Sequence, residues 1–112
     1  MAGIVRRAEE VLLSTVVLGE LPYGFRHGSR YESHARAMRA FLHNPYVTVV
    51  PVGETTADRY SRIAASLRAK GRPIPTNDIW IAAHAIQTGA DLVSAARHFE
   101  HVDGIAWLRL PG

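Results

Sequence analysis

Four short runs rich in β-branched and apolar residues, Val11–Val17, Tyr46–Val52, Asp91–Ala95 and Ile105–Leu110, punctuate this chain of 112 residues. The stretches between them carry helical spacing, and that alternation constrains the fold more than any other feature. Strands separated by helices of such length imply βαβ units, and so an α/β fold in which a parallel sheet is flanked by helices. The runs are apolar at consecutive positions, as expected of strands covered on both faces. Ile4–Glu10 reads as the last turns of a helix. A short helix is expected from about Leu18 or Gly19, with Pro22 in its first turn, where a missing N–H does little harm. Ser33–Leu42 is helical, with Ala35, Met38 and Leu42 on one face. Thr55–Lys70 places Tyr60, Ile63, Ala64 and Leu67 on an apolar stripe. Arg72–Pro75 is a rigid connector to a helix over Asn77–Thr88, which Gly89 closes at its C-cap. The expectation is one domain over residues 1–112.

Composition excludes several classes. Hydrophobic residues make up 47% and charged residues 21%, an ordinary balance for a globular protein. No run reaches the ~18 apolar residues of a membrane span, and no apolar stretch precedes a signal-type cleavage site. With no cysteine, disulfides, thiolate metal sites and Cys nucleophiles are ruled out. A cytoplasmic location is the simplest expectation. The formal charge of +3 comes with twelve Arg and a single Lys, Lys70. Arg is the better bidentate partner for phosphate, so nucleic acid or an acidic protein is admissible as a ligand; Arg-rich genomic usage explains the same numbers.

Ligands of open parallel sheets bind beyond the carboxyl ends of the strands. Three segments are aimed at that edge: Glu20 after the first run, Asp78 in the first turn of the helix entered at Thr76–Asn77, and Ser94–Arg97 after the third run. The helix dipole favours an ionised Asp78. A second carboxylate, Glu20, would repel it unless a cation lay between them. Hard divalent ions such as Mg²⁺ or Mn²⁺ suit an all-oxygen site. Taken alone, these acids are more simply read as the decoration of a helix start and a solvated surface acid.

The residues also resemble a known family. Leu13–Gly24 (LSTVVLGELPYG) resembles the second strand and acidic helix of VapC-type PIN domains. Pro75–Ala85 (PTNDIWIAAHA) resembles their third acidic segment, and Asp91–Phe99 (DLVSAARHF) the strand and turn that follow. The likeness spans nearly the whole chain in the right order. It implies a metal-dependent endoribonuclease acting as the toxin of a toxin–antitoxin pair, with RNA as substrate, a VapB-like antitoxin as partner and a homodimeric assembly. It makes Glu20 and Asp78 catalytic ligands of Mg²⁺ or Mn²⁺. Asn77 and Ser94 become supporting polar groups, and Arg97 a phosphate contact.

Two positions depart from the family pattern. The family opens with a short central strand ending in an acid, between the strands equivalent to 11–17 and 91–95, and this chain starts at what looks like the following helix. The turn after the third strand commonly reads Ser-x-Asp-x-x-Phe, whereas Ala96 stands at the acid's place. Weak metal binding and an impaired nuclease are therefore expected, the alternative being a non-catalytic module that binds an antitoxin or a partner protomer. The gap in the sheet is expected to close by direct pairing of the two strands, to take a strand from a second copy, or to leave the protein marginal. His98 and His101 have metal-like spacing without a third ligand, so no zinc site is expected. His84, in an apolar helix, reads as a packed or hydrogen-bonded core residue, and Trp80 and Trp107 as core or helix cover in preference to base-stacking rings. Tyr23 and Phe25, beside Arg26 and Arg30, fit either packing or part of an antitoxin groove.

Overall fold

The computed structural model describes residues 3–111. In chain order the elements are β1 (Ile4–Arg7), β2 (Glu10–Ser14), α1 (Thr15–Arg26), α2 (Tyr31–Leu42), β3 (Val47–Val50), α3 (Glu54–Ala69), α4 (Thr76–Thr88), β4 (Asp91–Ser94), a 3₁₀ turn (Arg97–His101) and β5 (Ala106–Arg109). One sheet holds all five strands in the order β3-β2-β1-β4-β5. β2 pairs in parallel with β3, and β4 with β5, while β1 is antiparallel to both β2 and β4. The four strands expected from sequence thus run in one direction, around a fifth that runs against them.

That fifth strand corrects the helical reading of Ile4–Glu10. Its Ala, Arg and Glu residues favour a helix locally, but two buried strands with unpaired backbone groups override propensity. None of the three expected ways of closing the gap occurs, because the chain's own N-terminal segment fills it. Val5 pairs with Leu12 on one side and Leu92 on the other. All three are buried in a core cluster shared with Ile81, Ala82 and Ala85 of α4. Just before β1, a Cβ on the buried Gly3 would lie 3.0 Å from Leu92 Cδ1 and 3.2 Å from Ser94 Cβ, so a larger residue would require these neighbours to shift by a few tenths of an ångström.

The first helix also differs from expectation. β2 stops at Ser14, and the helix begins at Thr15 rather than near Leu18 or Gly19. Ser14 Oγ accepts from Val16 N–H (3.1 Å) and caps it, a device that ends the strand earlier than apolar content suggests. Pro22 therefore lies inside the helix, where its ring removes one backbone donor. The other boundaries agree within a few residues, and Gly89 is the left-handed C-cap of α4, at φ 68°.

α4 is buried almost all round, from Asp78 to Ala85. On it, His84 is 1% exposed, as a core histidine should be. Its Nε2 donates to the Pro51 carbonyl (3.2 Å), leaving Nδ1 buried with no partner among the described residues. Desolvation is the main influence on its pKa and lowers it from the ordinary 6.5, against a smaller raising effect of the Pro51 bond. Protonation would put a second N–H and a charge where nothing accepts them. Because the folded-state pKa is depressed, the neutral ring's contribution is fully present above pH about 6.5 and is lost as pH falls below it. Thermal unfolding should show a lower Tm at pH 5 than at pH 7.5, with a smaller difference in His84→Gln.

The β1–β2 connection yields a second expectation. Arg7 pairs with Glu10 across a two-residue turn in which Ala8 takes φ 52°. Left-handed backbone costs a side-chain-bearing residue about 1–2 kcal/mol, and glycine is the natural occupant of such hairpin positions. Ala8→Gly should therefore raise unfolding stability by about 1 kcal/mol in urea titrations. An unchanged or lower midpoint would count against this hairpin.

Candidate active site at the carboxyl edge of the sheet

β2 and β4 run in the same direction, so Ser14 and Ser94 end at one edge of the sheet, and both are buried. α1 starts there without a linker, which sets Glu20 in the second turn of that helix. α4 meets α1, and Asn77 Nδ2 donates to Glu20 Oε2 across the contact (3.4 Å). The other oxygen, Glu20 Oε1, is buried without a hydrogen-bond partner among the described residues. Asp78, next in sequence to Asn77, is 4% exposed. Its Oδ2 accepts from His98 Nδ1 at 2.5 Å, a close contact between a half-exposed ring and a buried carboxyl.

Ser94 is held from three directions. Its Oγ accepts from Ala96 N–H (3.0 Å), and its carbonyl accepts from Trp107 Nε1 (3.1 Å) and Leu110 N–H (3.0 Å). The first of these bonds holds the chain as it leaves β4 towards the 3₁₀ turn that carries His98, and the other two tie Ser94 to β5 and the residue after it. Ala96 is half-buried against the core and contributes no polar side chain. Arg97 is exposed at the start of the turn. The structure thus brings Glu20, Asn77, Asp78 and the Ser94–His98 turn to one edge.

Sequence reasoning missed His98, which had been weighed only together with His101. The pair diverges: His98 faces Asp78, whereas His101 presents its carbonyl to Lys70 Nζ (2.8 Å). The available signal was position alone, since a residue just past β4 lies at the edge where α4 begins.

A divalent ion can be tested against the side chains present. Glu20 and Asp78 supply hard oxygen donors, and Glu20 Oε1 is a buried acceptor that no hydrogen-bond donor among the described residues reaches. These groups fit such an ion in kind. Among the described residues, however, no group of three or more His, Cys, Asp or Glu side chains is placed to hold one. The cleft beside Glu20 has a volume of about 420 Å³ and is lined by Thr15, Gly19, Glu20, Tyr23, Asn77 and Trp80 among others.

The Asp78–His98 bond is testable by itself. Removing the donor leaves a buried carboxylate oxygen unsatisfied, at about 1–2 kcal/mol once the half-exposed imidazole is discounted. His98→Ala should lower the urea midpoint accordingly, and adding Asp78→Asn to it should cost little more.

Comparison with known proteins agrees with this geometry. The PIN domain family model matches residues 1–105. Ribonuclease VapC2 of Haemophilus influenzae is 33% identical over 98 residues, covering 87% of this chain and 73% of the relative. Ribonuclease VapC1 of the same species is 29% identical over 100 residues, with 88% and 73% covered. Among solved structures, VapBC2 from Rickettsia felis, bound to a DNA fragment from its promoter, superposes with TM-score 0.80 at 26% identity over 89% of this chain and 74% of that one. VapBC-1 from nontypeable Haemophilus influenzae gives TM-score 0.80 at 28% identity over 93% and 77%. With both the family model and a one-third-identical ribonuclease spanning most of its length, the chain belongs to the PIN-domain family, in its VapC-type ribonuclease branch.

Proposed function

We propose that this chain is the toxin of a VapBC-type pair, a divalent-metal-dependent endoribonuclease whose acidic centre is weakened by Ala96. The carrying observation is the junction of α1 and α4, where Glu20, through Asn77, and Asp78 share one helix start beside an unpaired carboxylate oxygen. Glu20 and Asp78 would hold Mg²⁺ or Mn²⁺. When bound, such an ion polarises a phosphodiester and lowers the pKa of an attacking water. Asn77 orients Glu20 through its amide, and Ser94 shapes the turn that brings His98 to Asp78. Arg97, exposed at the same edge, is available to an RNA phosphate. A VapB-like antitoxin would silence the protein, and Phe25 in the apolar groove between α1 and α2, with Leu21, Met38 and Phe41, gives it a place to dock. Assembly as a homodimer belongs to the same reading.

One observation favours a second reading, a module that binds its antitoxin without cutting RNA. His98 already occupies Asp78 Oδ2, and Ala96 offers no carboxylate to share the load.

Cleavage of single-stranded RNA with Mn²⁺ decides between them. Under the first reading slow cleavage is seen, is abolished in Glu20→Gln and Asp78→Asn, and is suppressed by the antitoxin. Absence of cleavage together with tight antitoxin binding would select the second. Calorimetry should find Mn²⁺ bound on the order of tenfold more tightly by Ala96→Asp, because ligand charge sets affinity at hard oxygen sites. Equal affinities would remove position 96 from the centre.

A further inference from the structure

The cleft at the acidic edge has aromatic walls that metal binding does not use. Glu20 and Tyr23 are three residues apart on α1, and Asn77 and Trp80 three apart on α4. Each helix therefore presents a polar group and, one turn on, a ring on the same side. All four line the cleft of about 420 Å³, a volume within the ~300–1,000 Å³ of small-ligand sites. Tyr23 is 67% exposed, the most exposed large hydrophobic residue among those described. Its ring is nonetheless braced: His27 packs edge-on to it (centroids 4.5 Å apart, 76° between planes), and His27 Nδ1 bonds the Tyr23 carbonyl at 2.8 Å. Trp80 is likewise held, stacked on Tyr60 with centroids 4.1 Å apart and 28° between planes. An exposed ring packed on one edge by His27, beside a second ring stacked on Tyr60, offers a stacking platform to a flat ligand.

We propose that the Tyr23–Trp80 cleft is a nucleobase subsite for single-stranded RNA, seating the base of a nucleotide adjacent to the phosphate at Glu20 and Asp78. The assignment rests on the ribonuclease reading above and names where the substrate's base goes. Three residues advance a helix by about 4.5 Å, so the rings stand one nucleotide's reach from the acidic edge. Stacking accepts any base face, while the Asn77 amide and Thr15 hydroxyl offer a donor and acceptors to a base edge. The subsite therefore tolerates different bases with a modest preference, and it excludes duplex RNA, whose bases are stacked on one another.

The test is binding of a short fluorescein-labelled single-stranded RNA, read by anisotropy in calcium buffer, to the full chain and to Tyr23→Ala and Tyr23→Phe. Circular dichroism melting confirms that the variants fold. Tyr23→Ala should weaken binding on the order of tenfold, the scale of losing one stacking ring, and Tyr23→Phe should bind within about twofold of the parent, since the ring is retained. A series of the same RNA with one abasic position gives a check that needs no variant. One abasic position should weaken binding to the parent protein as much as Tyr23→Ala does, and should have no further effect in that variant. If the parent binds RNA and Tyr23→Ala binds it equally well, the subsite is wrong while the ribonuclease reading stands. If the parent binds no RNA and cuts none with Mn²⁺, both fall together.

Discussion

Backbone pairing in the middle of the sheet is the constraint on which the other features rest. β2 and β4 carry core residues at Leu12, Leu13 and Leu92, so their main-chain N–H and C=O groups cannot turn to water. Each group left unpaired would cost about 1–3 kcal/mol, and several would consume the ~5–15 kcal/mol stability of a small domain. β1 bonds to both strands at once. It does so antiparallel, because a two-residue turn at Ala8–Glu9 can only return the chain beside itself. A strand of four residues, two of them arginines, thereby separates a coherent sheet from two unpaired halves.

With that pairing made, the site follows from direction. β2 and β4 both run antiparallel to β1 and hence parallel to each other. Their carboxyl ends coincide, and so do the segments that leave them. Ser14 turns the chain into α1 within one residue, which fixes how far Glu20 stands from the edge. The close seat of Gly3 against Leu92 and Ser94 keeps that part of the sheet tight. Two electrostatic choices then define the chemistry. Asn77 satisfies one oxygen of Glu20 and leaves the other bare, while His98 satisfies one oxygen of Asp78.

Much of this was legible in the residues. The β-branched runs announced four of the five strands, although only the inner pair, β2 and β4, is well buried: the edge strands β3 and β5 leave Val49 and Leu108 exposed, against the expected cover on both faces. Helical spacing at Tyr60, Ile63, Ala64 and Leu67 and the glycine at 89 announced α3 and the end of α4. The segments around Glu20, Asp78 and Ser94 carried both the family resemblance and the expected edge. What was illegible shares one character: local chemistry was outvoted by distant partners. Ile4–Arg7 has helix-forming neighbours yet pairs as a strand. Thr15–Val17 is β-branched yet helical, since Ser14 caps it and Val17 is buried in the core cluster. His98, ordinary in sequence, gains its importance from a carboxylate twenty residues away.

The sequence by itself determined the α/β class, the order of four strands and their helices, and the three polar segments with Ala96 among them. Those properties are encoded locally, in periodicity and in residue type. Tertiary structure alone decided that Ile4–Arg7 fills the centre of the sheet, that Asn77 and His98 partition the two acids, and that Tyr23 and Trp80 face one cleft. Each depends on hydrogen bonds or contacts between residues far apart in the chain, whose energies exist only once the backbone has brought them together.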